Sequence, residues 1–292
     1  MGLDVTGDLA KPAAGSRPAA APRVPAQPRA VGSIRLSAKR HGARSVLDGL
    51  RPQGCLKALF PRHPDPARGL EAVLINSAGG ITGGDRLAIT AHAGPGARLS
   101  ITTQAAERIY AAQPGETGTL RTTLSAAPGA TLNWLPQETI LFNRAGLSRA
   151  LSADLAGDAR FLMVESLLFG RRAMGERVTD LRLHDRVEIL RDGQPLYLDA
   201  ARIDGDAEAL LDRPATGGGA RAMAALVYTA PGAEALLPVL RAGLPRTAGA
   251  SCIAPDTLAL RLLAPDGAAL RRLLLPLLAR LADGPIPRSW MT

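Results

Sequence analysis

From Ile34 to about residue 205, apolar and polar positions alternate with a period of two, the mark of half-buried strands. Leu99 and Ile101 alternate with Arg98, Ser100 and Thr102. Leu132 and Trp134 alternate with Thr131 and Asn133, and Leu181 and Leu183 with Asp180, Arg182 and His184. Val187 to Leu190, then Asp192-Gly193, then Leu196 to Leu198 reads as a hairpin with a type I′ turn, whose two central residues need positive φ. A faint repeat runs through this region. Gly96-Ala97-Arg98-Leu99, Gly129-Ala130-Thr131-Leu132 and Asp158-Ala159-Arg160-Phe161 each set a turn before a strand, with alanines 33 and 29 residues apart. That spacing suits stacked β layers or a β-solenoid. It suits equally the ordinary habit of turn residues preceding strands.

After residue 212 the character changes. Asp212-Arg213-Pro214 and Gly217-Gly218-Gly219 form a loop, and strands are predicted at Met223–Tyr228 and Thr257–Leu263. A short helix is predicted over Ala233–Leu240, disturbed by Pro238. The last helix is the clearest element. Leu270, Leu273, Leu274, Leu277, Leu278 and Leu281 form one stripe between a cap at Asp266 and Gly284-Pro285, and Pro276 predicts a kink. Residues 1–32 are rich in Ala, Pro and Arg without periodicity, so they bury too little to offset their ordering entropy and are expected to be disordered. A single β-rich domain is expected over 33–292, with an α+β portion from about 215.

Composition narrows the function. The 292-residue chain is 46% hydrophobic but only 3% aromatic, so its core is built from Leu, Val, Ile and Ala. Net charge is +9, yet residues 1–40 hold seven Lys or Arg against Asp4 and Asp8, leaving four of the nine for the rest. Without stacking aromatics, that distribution argues against nucleic-acid binding. Cys55 and Cys252 lie far apart, which excludes a closed thiolate metal site and fits a reducing, cytoplasmic setting. Apolar runs such as Leu273-Leu274-Leu275 are broken by Pro276 and Arg280, so no membrane span is expected.

Catalytic arrangements are poor. His41, His63, His92 and His184 are isolated, and no Gly-x-Ser-x-Gly occurs. The loop Gly79-Gly80-Ile81-Thr82-Gly83-Gly84-Asp85 lacks the Gly-Lys-Ser/Thr of a phosphate cradle and reads as a tight strand-to-strand connection with one poised carboxylate. Glu138, beside Pro136-Gln137, and Glu165, inside the apolar run Phe161–Phe169, are carboxylates in apolar settings, where the plain expectation is a buried pair with an arginine such as Arg171 or Arg172. Glu138 and Glu176 would serve a glycosidase at the right separation, although aromatic residues for a sugar platform are scarce.

Four segments in order resemble the UreD (UreH) family of urease accessory proteins. They are Gly79-Gly80-Ile81-Thr82-Gly83-Gly84-Asp85, then Thr102-Thr103-Gln104-Ala105-Ala106, then Trp134-Leu135-Pro136-Gln137-Glu138-Thr139, and Gly170-Arg171 to Gly175-Glu176. The chain departs at Glu107-Arg108, where the family often has Thr or Ser then Lys, and at Asn76-Ser77-Ala78, where many relatives carry prolines. The resemblance implies a mainly β fold, a β-helix-like stack of sheets with two helices in the C-terminal part. It also implies a non-enzymatic scaffold and metallochaperone partner in nickel insertion, working with UreF, UreG and apo-urease. No stably bound cofactor is expected, only nickel in transit, and Asp85, Glu138 and Glu176 are the candidate transient ligands. Two alternatives remain open: a β-solenoid hydrolase using paired carboxylates, and a structural adaptor that never touches metal. Acids facing an aromatic cleft would favour the first, and acids sealed by arginines the second.

Overall fold

The computed structural model describes residues 27–63, 65, 69–282 and 284–291. Most of the segment expected to be disordered therefore lies outside the described residues. The first strand, β1 (Val31–His41), starts three residues before Ile34. It is followed by β2 (Arg44–Gly54), β3 (Leu56–Leu59), β4 (Leu70–Asn76), β5 (Arg86–Ala93), β6 (Arg98–Thr103), β7 (Glu107–Ile109), β8 (Gly118–Ala126) and β9 (Thr131–Leu135). Then come β10 (Thr139–Leu141), β11 (Ala145–Leu155), β12 (Arg160–Phe169), β13 (Leu181–Arg191) and β14 (Gln194–Gly205).

From β4 to β13 the chain passes back and forth between two sheets, the short β7 and β10 joining the second. In the first, β13, β11, β8, β5 and β1 run parallel, and antiparallel β14 and β2 flank them. In the second, β4, β6, β9 and β12 run parallel. Each coil of chain thus gives one strand to each sheet, which is the stacked, β-helix-like architecture. The faint repeat is its footprint. Ala97, Ala130 and Ala159 are fully buried, and the Thr131 and Arg160 amides donate to the carbonyls of Ala97 and Ala130 one coil earlier, both at 2.8 Å. The hairpin β13–β14 turns at Asp192 and Gly193, both with positive φ, as its type I′ reading requires.

β12 is apolar on both faces because it separates two cores. Phe161, Met163, Leu167 and Phe169 face the solenoid interior, whereas Leu162 and Val164 face a helical layer on the other side. The C-terminal part extends the second sheet with β15 (Ala222–Thr229), β17 (Thr257–Ala264) and β16 (Ala248–Ala254), all antiparallel. Helix α3 (Gly267–Leu281) packs Leu270, Leu274, Leu277, Leu278 and Leu281 against this extension. The Asp266 carboxylate caps α3 by accepting from the Ala269 amide at 2.7 Å. α1 (Ala207–Asp212) was not predicted, and it is too short for a periodic stripe. The expected helix at 233–240 is displaced: a 3-10 turn covers Ala233–Leu236 and α2 spans Leu237–Ala242. Pro238 begins that helix instead of disturbing it, because a first-turn residue has no intrahelical partner for its missing N–H. Among the described residues no helix is long and apolar enough to cross a membrane.

Candidate functional site

The four sequence segments come together at one end of the solenoid. Ile81 bridges Ile109, β7 pairs with β10, β10 pairs with β12, and the Gly170 amide donates to the Leu141 carbonyl at 2.8 Å. Gly80 allows this stacking. Its φ is +156°, and a Cβ there would sit 2.4 Å from the Tyr110 ring and 2.6 Å from the Arg108 carbonyl oxygen.

The three acids chosen from the sequence are held by specific partners. Asp85 accepts from the Ala30 amide at 2.7 Å and the Thr82 amide at 2.8 Å, one on each oxygen. Its carboxylate therefore closes the Gly-rich turn onto the start of β1. Glu138 accepts from Arg271 of α3 at 3.2 Å, and the same guanidinium reaches Gln137 at 2.9 Å, the Ser289 carbonyl at 3.0 Å and the face of Trp290. Glu176 accepts from the Arg171 amide and guanidinium at 3.0 and 2.8 Å, and from the Asn143 amide at 3.2 Å. Burial alone would raise its pKa, but the donors of Arg171 outweigh it and hold the carboxyl below its ordinary value. Two of the three are sealed by arginines and the third by backbone amides. None of the three lines the space of about 170 Å³ between the two sheets, although Gln137 and Thr139 beside Glu138 do.

A cavity of about 170 Å³ lies between the two sheets, under the stacked segments. Its polar lining includes Asn76, Gln104, Glu107, Gln137, Arg149 and Glu165. Glu107 accepts from the Asn76 side-chain amide at 3.1 Å, and burial pushes its carboxyl up to about 7 against that hydrogen bond and the charge of Arg108.

The inner wall is an ionic cluster. Arg149 on β11 is buried. Its guanidinium forms a salt bridge with Glu165 on β12, donates to Thr139 Oγ1 at 3.3 Å, and grips Asp185 on β13 at 2.9 and 2.6 Å. Trp134 Nε1–H donates to the other Glu165 oxygen at 2.7 Å. Two carboxylates thus share one guanidinium. Burial, with Asp185 nearby, raises Glu165 despite Arg149, while the two acids hold Arg149 charged against its own burial. The arginine expected for Glu165 was Arg171 or Arg172. Both instead lie on the exposed loop with Glu176, and Arg149 takes the place because parallel pairing sets β11 and β13 side by side beneath β12.

On the far side of this wall a second space of about 20 Å³, room for one water, is lined by Arg149, Glu165, Asp185, Asp199 and Arg261. Arg261 bridges Asp199 at 2.6 Å. Glu107 and Glu165 thus line the larger cavity, and Glu165, Asp185 and Asp199 the smaller one. Sequence reasoning singled out Glu165 alone. Asp185 and Asp199 looked like ordinary polar positions on alternating strands, and the signal that would have found Arg149 is its place in the inward-facing register of β11. No group of three or more His, Cys, Asp or Glu side chains is placed to hold a metal ion among the described residues.

Comparison with known proteins is consistent along the chain. Residues 30–291 match the family described as UreD urease accessory protein. A protein of Roseobacter denitrificans named "Urease accessory protein UreD" is 53% identical over 264 residues, covering 90% of this chain and 96% of that protein. Proteins of the same name from Ruegeria pomeroyi and Sinorhizobium medicae are 53% identical over 257 residues and 46% identical over 268 residues. Those alignments cover 88% and 90% of this chain, and 99% and 96% of the relatives.

Proposed function

The chain belongs to the UreD family of urease accessory proteins, and from that premise we propose that it is a cytoplasmic, non-enzymatic scaffold that passes nickel toward apo-urease in complex with UreF and UreG. Nickel is the cargo, carried without a resident cofactor. The observation that supports transfer is that carboxylates line the spaces on both sides of the Arg149–Glu165–Asp185 cluster, Glu107 in the larger and Asp199 in the smaller. Oxygen donors hold nickel less tenaciously than thiolates do, which suits passage over storage. In this reading Asp85, Glu138 and Glu176 brace the end of the solenoid, and Glu107, Glu165 and Asp185 meet the metal.

The test is paired. Glu→Gln or Asp→Asn is made at each of the six acids, and nickel per urease active site is measured beside recovery of the complex with UreF and UreG. Lower nickel with normal complex recovery is expected for Glu107, Glu165 and Asp185. Normal nickel at all six would end the conduit reading and leave the adaptor. For the hydrolase alternative, the pair Glu138 and Glu176 is engaged by different arginines on different segments, and no observation favours it.

A further inference from the structure

The outer face of the first sheet divides by charge. Strands β2, β1, β5 and β8 carry seven Lys or Arg and one carboxylate, Asp48. Asp48 is taken by Lys39 at 2.7 Å. Across the same sheet, the outward positions of β13 and β14 mix Arg182, Arg186 and Arg202 with Glu188 and Asp204. There Arg186 pairs with Glu188 at 3.2 Å and Arg202 with Asp204 at 2.7 Å.

Register gathers the first group. Arg35 lies directly opposite Arg51, Arg86 opposite Val31, and Arg121 opposite Ala88. With strands about 4.8 Å apart and about 3.3 Å per residue, the four arginines fall within roughly 15 Å of one another. All four side chains are exposed, and none has an ion-pair or hydrogen-bond partner among the described residues. Between them the face is small and flat: Ser33, Ala88, Thr90 and Thr119. Like charges directly opposite each other on a sheet oppose folding. The Arg35–Arg51 pair therefore gains nothing within this chain.

We propose that this arginine face, Arg35, Arg51, Arg86 and Arg121 on the outer surface of the first sheet, is the docking surface for a carboxylate-rich face of a protein partner. Unpaired guanidinium groups on a flat, rigid sheet keep their forked donors free for bidentate carboxylate pairing, and a patch of one sign steers an oppositely charged partner into contact. These four strands contain no Phe, Tyr or Trp, so they offer no platform for stacked bases, and an acidic protein fits better than a nucleic acid. The inference rests on the accessory role only in expecting that partner among the proteins of urease maturation.

Two probes separate the inference from that role. The first is poly-glutamate, bound to the full chain at low and high salt. Arg35→Glu/Arg121→Glu is compared with Arg186→Glu/Arg202→Glu, which changes net charge equally on the paired half of the same face. Expected is a loss of roughly tenfold or more for the first variant and little for the second, with wild-type binding weakened by salt. Equal loss in both variants, or loss in neither, would overturn the arginine face whatever the accessory role. The second probe is co-expression with UreF, UreG and apo-urease, with thermal unfolding confirming that both variants fold. Loss of one of the three from the Arg35→Glu/Arg121→Glu complex, and from no control, is expected. Retention of all three overturns the docking surface while leaving the accessory role standing. Tight binding of a short duplex that only this variant loses, with every protein retained, would overturn it in favour of nucleic acid.

Discussion

Arg149 on β11 and Glu165 on β12 join the two sheets through a buried salt bridge, and the pair lines the cavities on both sides of it. A buried pair is weak evidence for stability in itself, but removing one partner is costly because it strands the other charge. Arg149→Met leaves Glu165 and Asp185 facing each other without a cation and is expected to cost about 3–5 kcal/mol. Arg149→Met/Glu165→Gln removes the more deeply buried of the two stranded carboxylates and is expected to regain part of that loss. Denaturant unfolding of both variants checks this, and equal destabilisation would mean that the packing of Arg149, and not its charge, holds the wall.

Much of the fold was legible because a period of two needs only local information. The Asp192-Gly193 turn, β15, β17 and the leucine stripe of α3 lie within a residue or two of their predicted places, while β13 and β14 run six and seven residues beyond the predicted hairpin. The repeat at Ala97, Ala130 and Ala159 signalled stacking, but turn chemistry alone could not separate a coil repeat from three unrelated turns. The candidate site was less legible for a physical reason. Asp85, Glu138 and Glu176 stand out by sitting in distinctive motifs, and their hydrogen bonds tie together one end of the solenoid. Arg149, Asp185 and Asp199 occupy strand positions where an inward charge looks like any polar residue. Their partners are 16 to 62 residues away, and only the coil register brings them together.

Gly80→Ala tests the packing of the motif-bearing end. The new methyl would meet the Tyr110 ring and the rigid Arg108 carbonyl well inside contact distance, from a backbone φ that side chains rarely adopt. Strain at such a site costs on the order of 1–3 kcal/mol. A lower melting temperature and reduced complex recovery are expected, whereas Gly79→Ala, with open space around its Cβ, should suffer only its positive φ. Equal effects at the two positions would show that backbone strain, not the Tyr110 contact, sets the requirement.

Glu107 predicts a pH dependence. A carboxyl whose pKa rises to about 7 on folding holds its proton more tightly in the folded chain than in the unfolded one. Its contribution is therefore fully present below its ordinary value of 4.5 and is lost as pH rises to about 7. Glu107→Gln removes that loss. The variant should match the wild type in acid and exceed it above neutral pH, with the difference growing between those limits. Thermal unfolding across this range checks the sign, and a variant less stable at alkaline pH would show that the charged form of Glu107 is stabilised by a contact beyond Asn76 and Arg108.

The last prediction separates transit from bridging without altering any charge. Leu120 on β8 lines the larger cavity and is only partly buried, so a bulkier apolar side chain can extend into space that is already there. Leu120→Phe should cost less than the 1–3 kcal/mol typical of overpacking a filled core, because the ring occupies the cavity and does not displace neighbours. It leaves Glu107, Arg149, Glu165 and the motif-bearing end chemically unchanged. If the protein only bridges its partners, nickel per urease active site and recovery of the complex should both stay at wild-type values. If nickel passes between the sheets, the ring narrows its route, and nickel loading should slow several-fold while the complex with UreF and UreG is recovered in full. Leu262→Phe, in the second core away from the cavity, is the control for packing damage alone. Slowed loading in both variants would assign the effect to stability, and slowed loading in Leu120→Phe alone would assign it to the cavity.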